Sequence, residues 1–180
     1  MQTIDDLIED LIEREGGFVD HPADRGGATR FGITEAVARR QGYVGEIRAL
    51  PKSDAAAIYK RLYWLAPRLD AVAQRAPALG AELFDTGVNM GTGSAAGFLQ
   101  RALNALNRNG TDYADIRVDR QIGQATLGAL DAFLAKRSAA GEAVLLKAVE
   151  ALQGTHYLTI AEARPSQEAF VYGWLARRVH

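Results

Sequence analysis

The 180-residue chain is 48% hydrophobic and 24% charged, with 21 Lys and Arg against 22 Asp and Glu for a formal net charge of −1. That length supports one ordinary core or two small lobes sharing one, and the charge balance excludes the basic excess of a nucleic-acid binder. With no cysteine, disulfides and thiolate catalysis are excluded, and His21, His156 and His180 lack ligand spacing, so neither a metal nor a cofactor is expected.

The N-terminus shows no basic region followed by an apolar run, and no stretch reaches the length of a membrane span. Stable membrane insertion is therefore not expected, nor is an export signal of the chain's own. Synthesis in a reducing cytoplasm fits the missing cysteines.

Ile4, Leu7, Ile8, Leu11 and Ile12 recur at helical spacing, and Thr3 with Asp6 forms a capping-box pattern, so the first element is an amphipathic helix. Glu15 follows Leu11 by four residues and is expected on the core side, with Gly16-Gly17 ending the helix. Partial burial and the negative end of the helix dipole would both raise its pKa, as a general acid requires.

A glycine-rich loop follows, carrying Asp20, Asp24, Arg25 and Gly26-Gly27. Thr29, Phe31 and Ile33 then alternate with Arg30 and Gly32 as a short strand or hairpin, and Thr34 caps the next helix. Glycosidases generally need an acid at the leaving oxygen and a second carboxylate that activates water or stabilises the positive sugar. Asp24, nine positions after Glu15, is the leading candidate for the second, with Asp20 as its competitor. Thr29 is a candidate for holding a water, or an ordinary strand threonine.

The remaining chain reads as helices. Glu35 to Gln41 is short and closed by Gly42; Tyr43 to Lys52 is a connector. Ser53 opens a helix with Ile58, Leu62 and Leu65 inward and Tyr59, Tyr63 and Trp64 beside them, stopped by Pro67. Aromatics there can stack on sugar rings, Tyr63 being the candidate retained; core packing accounts for at least two of the three. Leu79 to Met90 is a buried central helix on which Asp85 and Asn89 share a face, lining a cleft or bridging neighbouring helices.

Gly91, Gly93 and Gly97 follow a helix where a dinucleotide fingerprint requires a strand, so they end one helix while Ser94 starts the next, with Phe98, Leu99, Leu103 and Leu106 inward. A polar turn at 107–112 and a second turn at 118–126 lead to a helix with Leu127, Leu130, Phe133 and Leu134. Another starts near Glu142, and the last, opened by Ser166, carries Phe170, Val171, Trp174 and Leu175.

Several of these runs resemble one family. Glu15-Gly16-Gly17-Phe18, Asp24-Arg25-Gly26-Gly27-Ala28-Thr29 and Gly32-Ile33-Thr34 resemble the signature of glycoside hydrolase family 108, phage and prophage N-acetylmuramidases. The run FDTGVNMG at 84–91 resembles the segment where that family's hydrolase region passes into its peptidoglycan-binding region, and Gly173-Trp174 with Arg177 resembles its C-terminus. Val118 to Thr126 resembles the family's Asp-Gly-x-x-Gly-Pro-x-Thr turn, with Arg120 in place of a glycine and Gln124 in place of a proline.

The resemblance implies a mainly α, lysozyme-like fold with a small β-hairpin next to the active-site cleft. It implies a hydrolase region at 1–86 and a peptidoglycan-binding region at 87–180, packed as one unit. Glu15 would be the catalytic glutamate; Asp24 and Thr29 remain its candidate partners, and Asp85, Asn89 and Tyr63 candidate substrate contacts, on the residue readings above. The target would be the β-1,4 bond between N-acetylmuramic acid and N-acetylglucosamine. The Glu, Asp and Thr order is also similar to the triad of phage lysozymes, with an Asp-to-Thr interval one residue shorter.

Such an enzyme is expected to act as a monomer and to wait in the cytoplasm until a holin or lysis gives access to the wall. Three other readings remain at this point: a lytic transglycosylase using the same Glu15, a non-catalytic binding or secretion-linked scaffold, and an amidase or peptidase. The last is disfavoured by the missing zinc and thiol sites.

Overall fold

The structure, a computed structural model, describes residues 2–19 and 27–178. The chain forms two compact units, Met1–Ala66 and Pro67–His180. Helices dominate, with one small antiparallel sheet, as expected of a mainly α, lysozyme-like fold. Among the described residues no helix is long and apolar enough to cross a membrane.

In the first unit α1 spans Ile4–Glu15. Thr3 and Asp6 close a reciprocal capping box, Thr3 Oγ1 accepting from Asp6 N at 3.2 Å and the Asp6 carboxylate accepting from Thr3 N at 2.8 Å. Ile8, Leu11 and Ile12 are buried, and α1 packs against α3, Lys52–Tyr59, whose Ala55, Ile58 and Tyr59 are also buried. Each large apolar side chain so buried contributes about 1.5–3 kcal/mol. Lys52 also meets the Glu9 carboxylate at 2.6 Å, but both side chains are exposed and solvent screening leaves the pair little weight beside the apolar core.

The expected hairpin is part of a three-stranded sheet. β1 (Phe18–Val19), β2 (Thr29–Arg30) and β3 (Ile33–Thr34) pair antiparallel in that order, with Phe18 opposite Arg30, Val19 opposite Thr29, and Thr29 in turn opposite Thr34. Phe31 and Gly32 were expected within the strand. They are instead the two central residues of the β2–β3 turn, at φ +53° and +72°. Positive φ at both positions is the type I′ geometry whose twist matches its flanking strands. Thr34 caps α2, Glu35–Arg40, by accepting from Val37 N at 3.2 Å.

The aromatic helix departs from expectation in two places. It starts at Lys52 after Pro51, so Ser53 lies inside the first turn and not at the cap. From Lys60 to Leu65 it widens into a π-turn, closed by Ala66 N donating to the Arg61 carbonyl at 2.9 Å. The wider turn slips the helical register by about one residue. Trp64 is therefore buried while Leu65, expected inside, is half exposed. Tyr59 and Trp64 join the core, and Tyr63 is only partly covered.

The second unit is built around α5, Pro77–Met90, which packs on α4 (Leu69–Ala73), α6 (Thr92–Leu106) and α7 (Gln124–Ala163). Leu79, Leu83 and Phe84 are buried on α5, as are Leu99 and Leu103 on α6 and Leu130, Phe133, Leu145 and Val149 on α7. Helix α6 begins at Thr92, two residues before the expected Ser94, because Gly91 at φ +85° both ends α5 and caps α6. Helix α7 is interrupted at Ser138 (φ +56°, ψ −159°), which corresponds to the two helices expected on either side. A 3-10 turn at Pro165–Gln167 leads into α8, Glu168–Arg178, which packs on α7.

Candidate active site

Glu15 occupies the last turn of α1, where Gly16 (φ +76°) leaves the helix. The expectation that it faces the core is corrected: Glu15 is exposed, because the helix ends there and the chain turns away into β1. Its carboxylate nonetheless has a defined seat. A Cβ added at Gly32 would lie 2.7 Å from Glu15 Oε2 and 2.7 Å from the Tyr59 hydroxyl. Only glycine leaves that space while holding the positive φ of the hairpin turn. The apex of the hairpin, the end of α1 and the end of α3 therefore converge on one point.

Tyr59 secures the arrangement. Its hydroxyl donates to the Phe31 carbonyl at 2.9 Å, tying α3 to the hairpin apex. Burial holds the phenol well above its ordinary pKa, and the charges of Glu15 and Tyr63 add to the effect, so it remains a neutral donor. The Tyr63 ring tilts against it at 5.7 Å between centroids and 38° between planes. A half-buried aromatic face thus lies one ring beyond Tyr59.

Thr29 sits in β2 with its hydroxyl unpaired among the described residues, between Val19 and Thr34 on neighbouring strands. Asp24 and its competitor Asp20 lie outside the described residues. Asp85 and Asn89 belong to the second unit, where they share a face of α5; Asn89 Nδ2 donates to the Asp85 carbonyl at 2.7 Å and to its carboxylate at 3.1 Å. The structure therefore brings Glu15 and Tyr63 to one locality through Tyr59, and pairs Asp85 with Asn89.

Tyr59 and Gly32 were not recognised as site residues from sequence. The available signals were the four-residue interval from Tyr59 to Tyr63 and a glycine between two short β-forming segments.

A second titratable cluster lies inside the second unit. Burial, then the neighbouring Asp85 charge, pushes the Glu82 carboxyl up from an ordinary 4.5 to about 7. Thr86 donates to Glu82 at 3.2 Å and accepts from Gln153 Nε2 at 3.0 Å, both Thr86 and Gln153 being buried. Glu150, also buried, contributes further to the upward shift.

Residues 8–91 match the model of the family described as glycosyl hydrolase 108, and residues 94–179 match the one described as predicted peptidoglycan domain. Among solved structures, the chain is similar to that of Brucella abortus SagA, with 26% identity over 98% of this chain and 95% of the other and a TM-score of 0.58. No curated protein matches the chain.

Proposed function

Since residues 8–91 belong to the glycosyl hydrolase 108 family and residues 94–179 to the predicted peptidoglycan domain family, making the chain a glycoside hydrolase of peptidoglycan, we propose that it is an N-acetylmuramidase with Glu15 as its general acid. The observation that carries this reading is the seat of the Glu15 carboxylate against Gly32 and Tyr59. An exposed carboxyl beside the hairpin apex and the Tyr59 phenol can meet a polymer from solvent.

In the proposed reaction Glu15 gives its proton to the glycosidic oxygen of the β-1,4 bond as the bond from the N-acetylmuramic acid anomeric carbon breaks. Asp24, with Thr29, holds the water whose oxygen bonds to that carbon and takes the proton it releases. Similarity to the phage lysozymes favours inversion at the anomeric centre. Tyr63 offers a ring face to a bound sugar. The catalytic region is assigned to residues 1–86 and the wall-binding region to 87–180, with Asp85 and Asn89 as contacts to the polymer.

The resemblance of the Glu15 to Thr34 run to phage and prophage enzymes supports an endolysin, active as a monomer and dependent on a holin to leave the cytoplasm.

The test is release of reducing ends from purified peptidoglycan. Glu15→Gln is expected to lower the rate by at least about 100-fold, the usual scale for losing a general acid, with the melting temperature retained. Full release by that variant would refute the assignment. Asp24→Asn is expected to lower turnover sharply without a change in melting temperature, and full activity there would transfer its role to Asp20 or to no residue.

A further inference from the structure

The second unit contains a cavity of about 380 Å³ where the end of α5 meets α7, the 3-10 turn and α8. Its lining includes Asn89, His156, Tyr157, Arg164, Gln167 and Trp174. Three features give it chemical direction.

Trp174 is the middle of an aromatic row, its ring 5.2 Å from Tyr157 and stacked at 6.1 Å and 20° on Phe170. The neighbours fix the orientation of the indole, so it presents a firm wall at little entropic cost. Asn89 is oriented too: its amide nitrogen is spent on Asp85, which leaves Oδ1 as an acceptor for an N–H donor. The exposed Arg164 guanidinium has no side-chain hydrogen bond or ion pair among the described residues, and a guanidinium fork matches a carboxylate in two parallel hydrogen bonds.

We propose that this cavity binds a carboxylate flanked by an amide on the peptidoglycan polymer, with Arg164 taking the carboxylate, Asn89 Oδ1 the amide N–H, and the Trp174 ring the apolar carbons between them. The proposal rests on the peptidoglycan reading above and deepens it, by specifying which part of the polymer the second unit grips. A bare pyranose would satisfy the aromatic wall and leave the guanidinium unused. The charge selects either a stem-peptide carboxylate or the lactyl carboxylate of an N-acetylmuramic acid that has lost its peptide.

The test uses the full chain carrying Glu15→Gln, with indole ¹⁵N labelling. The chain has two tryptophans, so the spectrum contains one probe in the cavity, Trp174, and one control in the first unit's core, Trp64. Three ligands are titrated: a disaccharide bearing its stem peptide, the free stem peptide, and the disaccharide with its lactyl carboxylate free.

The Trp174 signal is expected to shift with the first two ligands if the carboxylate belongs to the stem peptide, and with the third alone if it is the lactyl group. Adding Arg164→Gln is expected to weaken binding at least tenfold, and Arg164→Lys by less. A Trp174 signal unmoved by all three ligands, or equal affinity with and without Arg164→Gln, would overturn the proposal. A Trp174 shift in a protein whose wild type releases no reducing ends would preserve the cavity and remove the hydrolase reading. Release without a shift would do the reverse.

Discussion

Gly32 leaves open the space that the Glu15 carboxylate occupies. Its two constraints act together, a φ of +72° and the absence of a Cβ 2.7 Å from both Glu15 Oε2 and the Tyr59 hydroxyl. Gly32→Ala is expected to cost about 1–2 kcal/mol in denaturant unfolding through the left-handed backbone. It should also lower the release of reducing ends at least about tenfold, since small displacements of a catalytic group are expensive. Wild-type turnover in Gly32→Ala would show that the seat does not matter. Tyr59→Phe leaves the Phe31 carbonyl without its donor and is expected to cost about 1 kcal/mol in the same measurement. Glu15 could be singled out from sequence because helical periodicity and Gly16-Gly17 place it at a helix end. Tyr59 could not, because its approach to the hairpin depends on how α3 packs against α1, which no local pattern encodes.

At the level of elements, capping chemistry and apolar spacing predicted helix identity well, and boundaries failed where one residue served two elements or a turn widened. Gly91 is the first case and the π-turn at Lys60–Leu65 the second. The turn at 118–126 is explained by contacts out of sequence. Gln100 on α6, nearly fully buried, donates from Nε2 to Asp119 at 2.7 Å, to the Gln121 carbonyl at 2.9 Å and to Thr126 at 3.1 Å, and its Oε1 accepts from Arg120 N at 2.9 Å. Arg120 takes φ +64°, the conformation for which the resembling turn uses glycine, and its stem lies over Gly93 and Gly97. Those glycines, which could suggest a nucleotide motif, instead face that stem at ordinary contact distance. Gln100→Leu strands the Arg120 N–H and takes a donor from Asp119 and the Gln121 carbonyl, and is expected to lose about 2 kcal/mol of unfolding free energy. A loss below about 0.5 kcal/mol would mean that the turn holds without it.

For the whole molecule, the mainly helical class and the nature of the catalytic region were legible from composition, periodicity and the Glu15 to Thr34 run. The buried polar cluster on α5 and α7 was not, because Glu82 and Gln153 are far apart in sequence and meet only when the helices pack. Its consequence is a pH dependence of stability. The folded state keeps the Glu82 proton to about 7 while the unfolded chain releases it near 4.5, so this stabilisation is complete below pH 4.5 and is lost as pH rises through 7. Glu82→Gln keeps an acceptor for Thr86 without a charge, and should be more stable than wild type at pH 8 by up to about 3 kcal/mol and equal to it near pH 4. An unchanged difference between the two proteins across that range would place the source of the pH dependence elsewhere.

The central claim is that Glu15 drives hydrolysis of the glycan, and mass spectrometry of the muropeptides released from purified peptidoglycan by wild type and by Glu15→Gln tests it most directly. Reducing N-acetylmuramic acid ends from the wild type alone are the predicted result. Ends lighter by one water, the anhydro form, would contradict hydrolysis and identify a transglycosylase, and no release by either folded protein would contradict catalysis altogether.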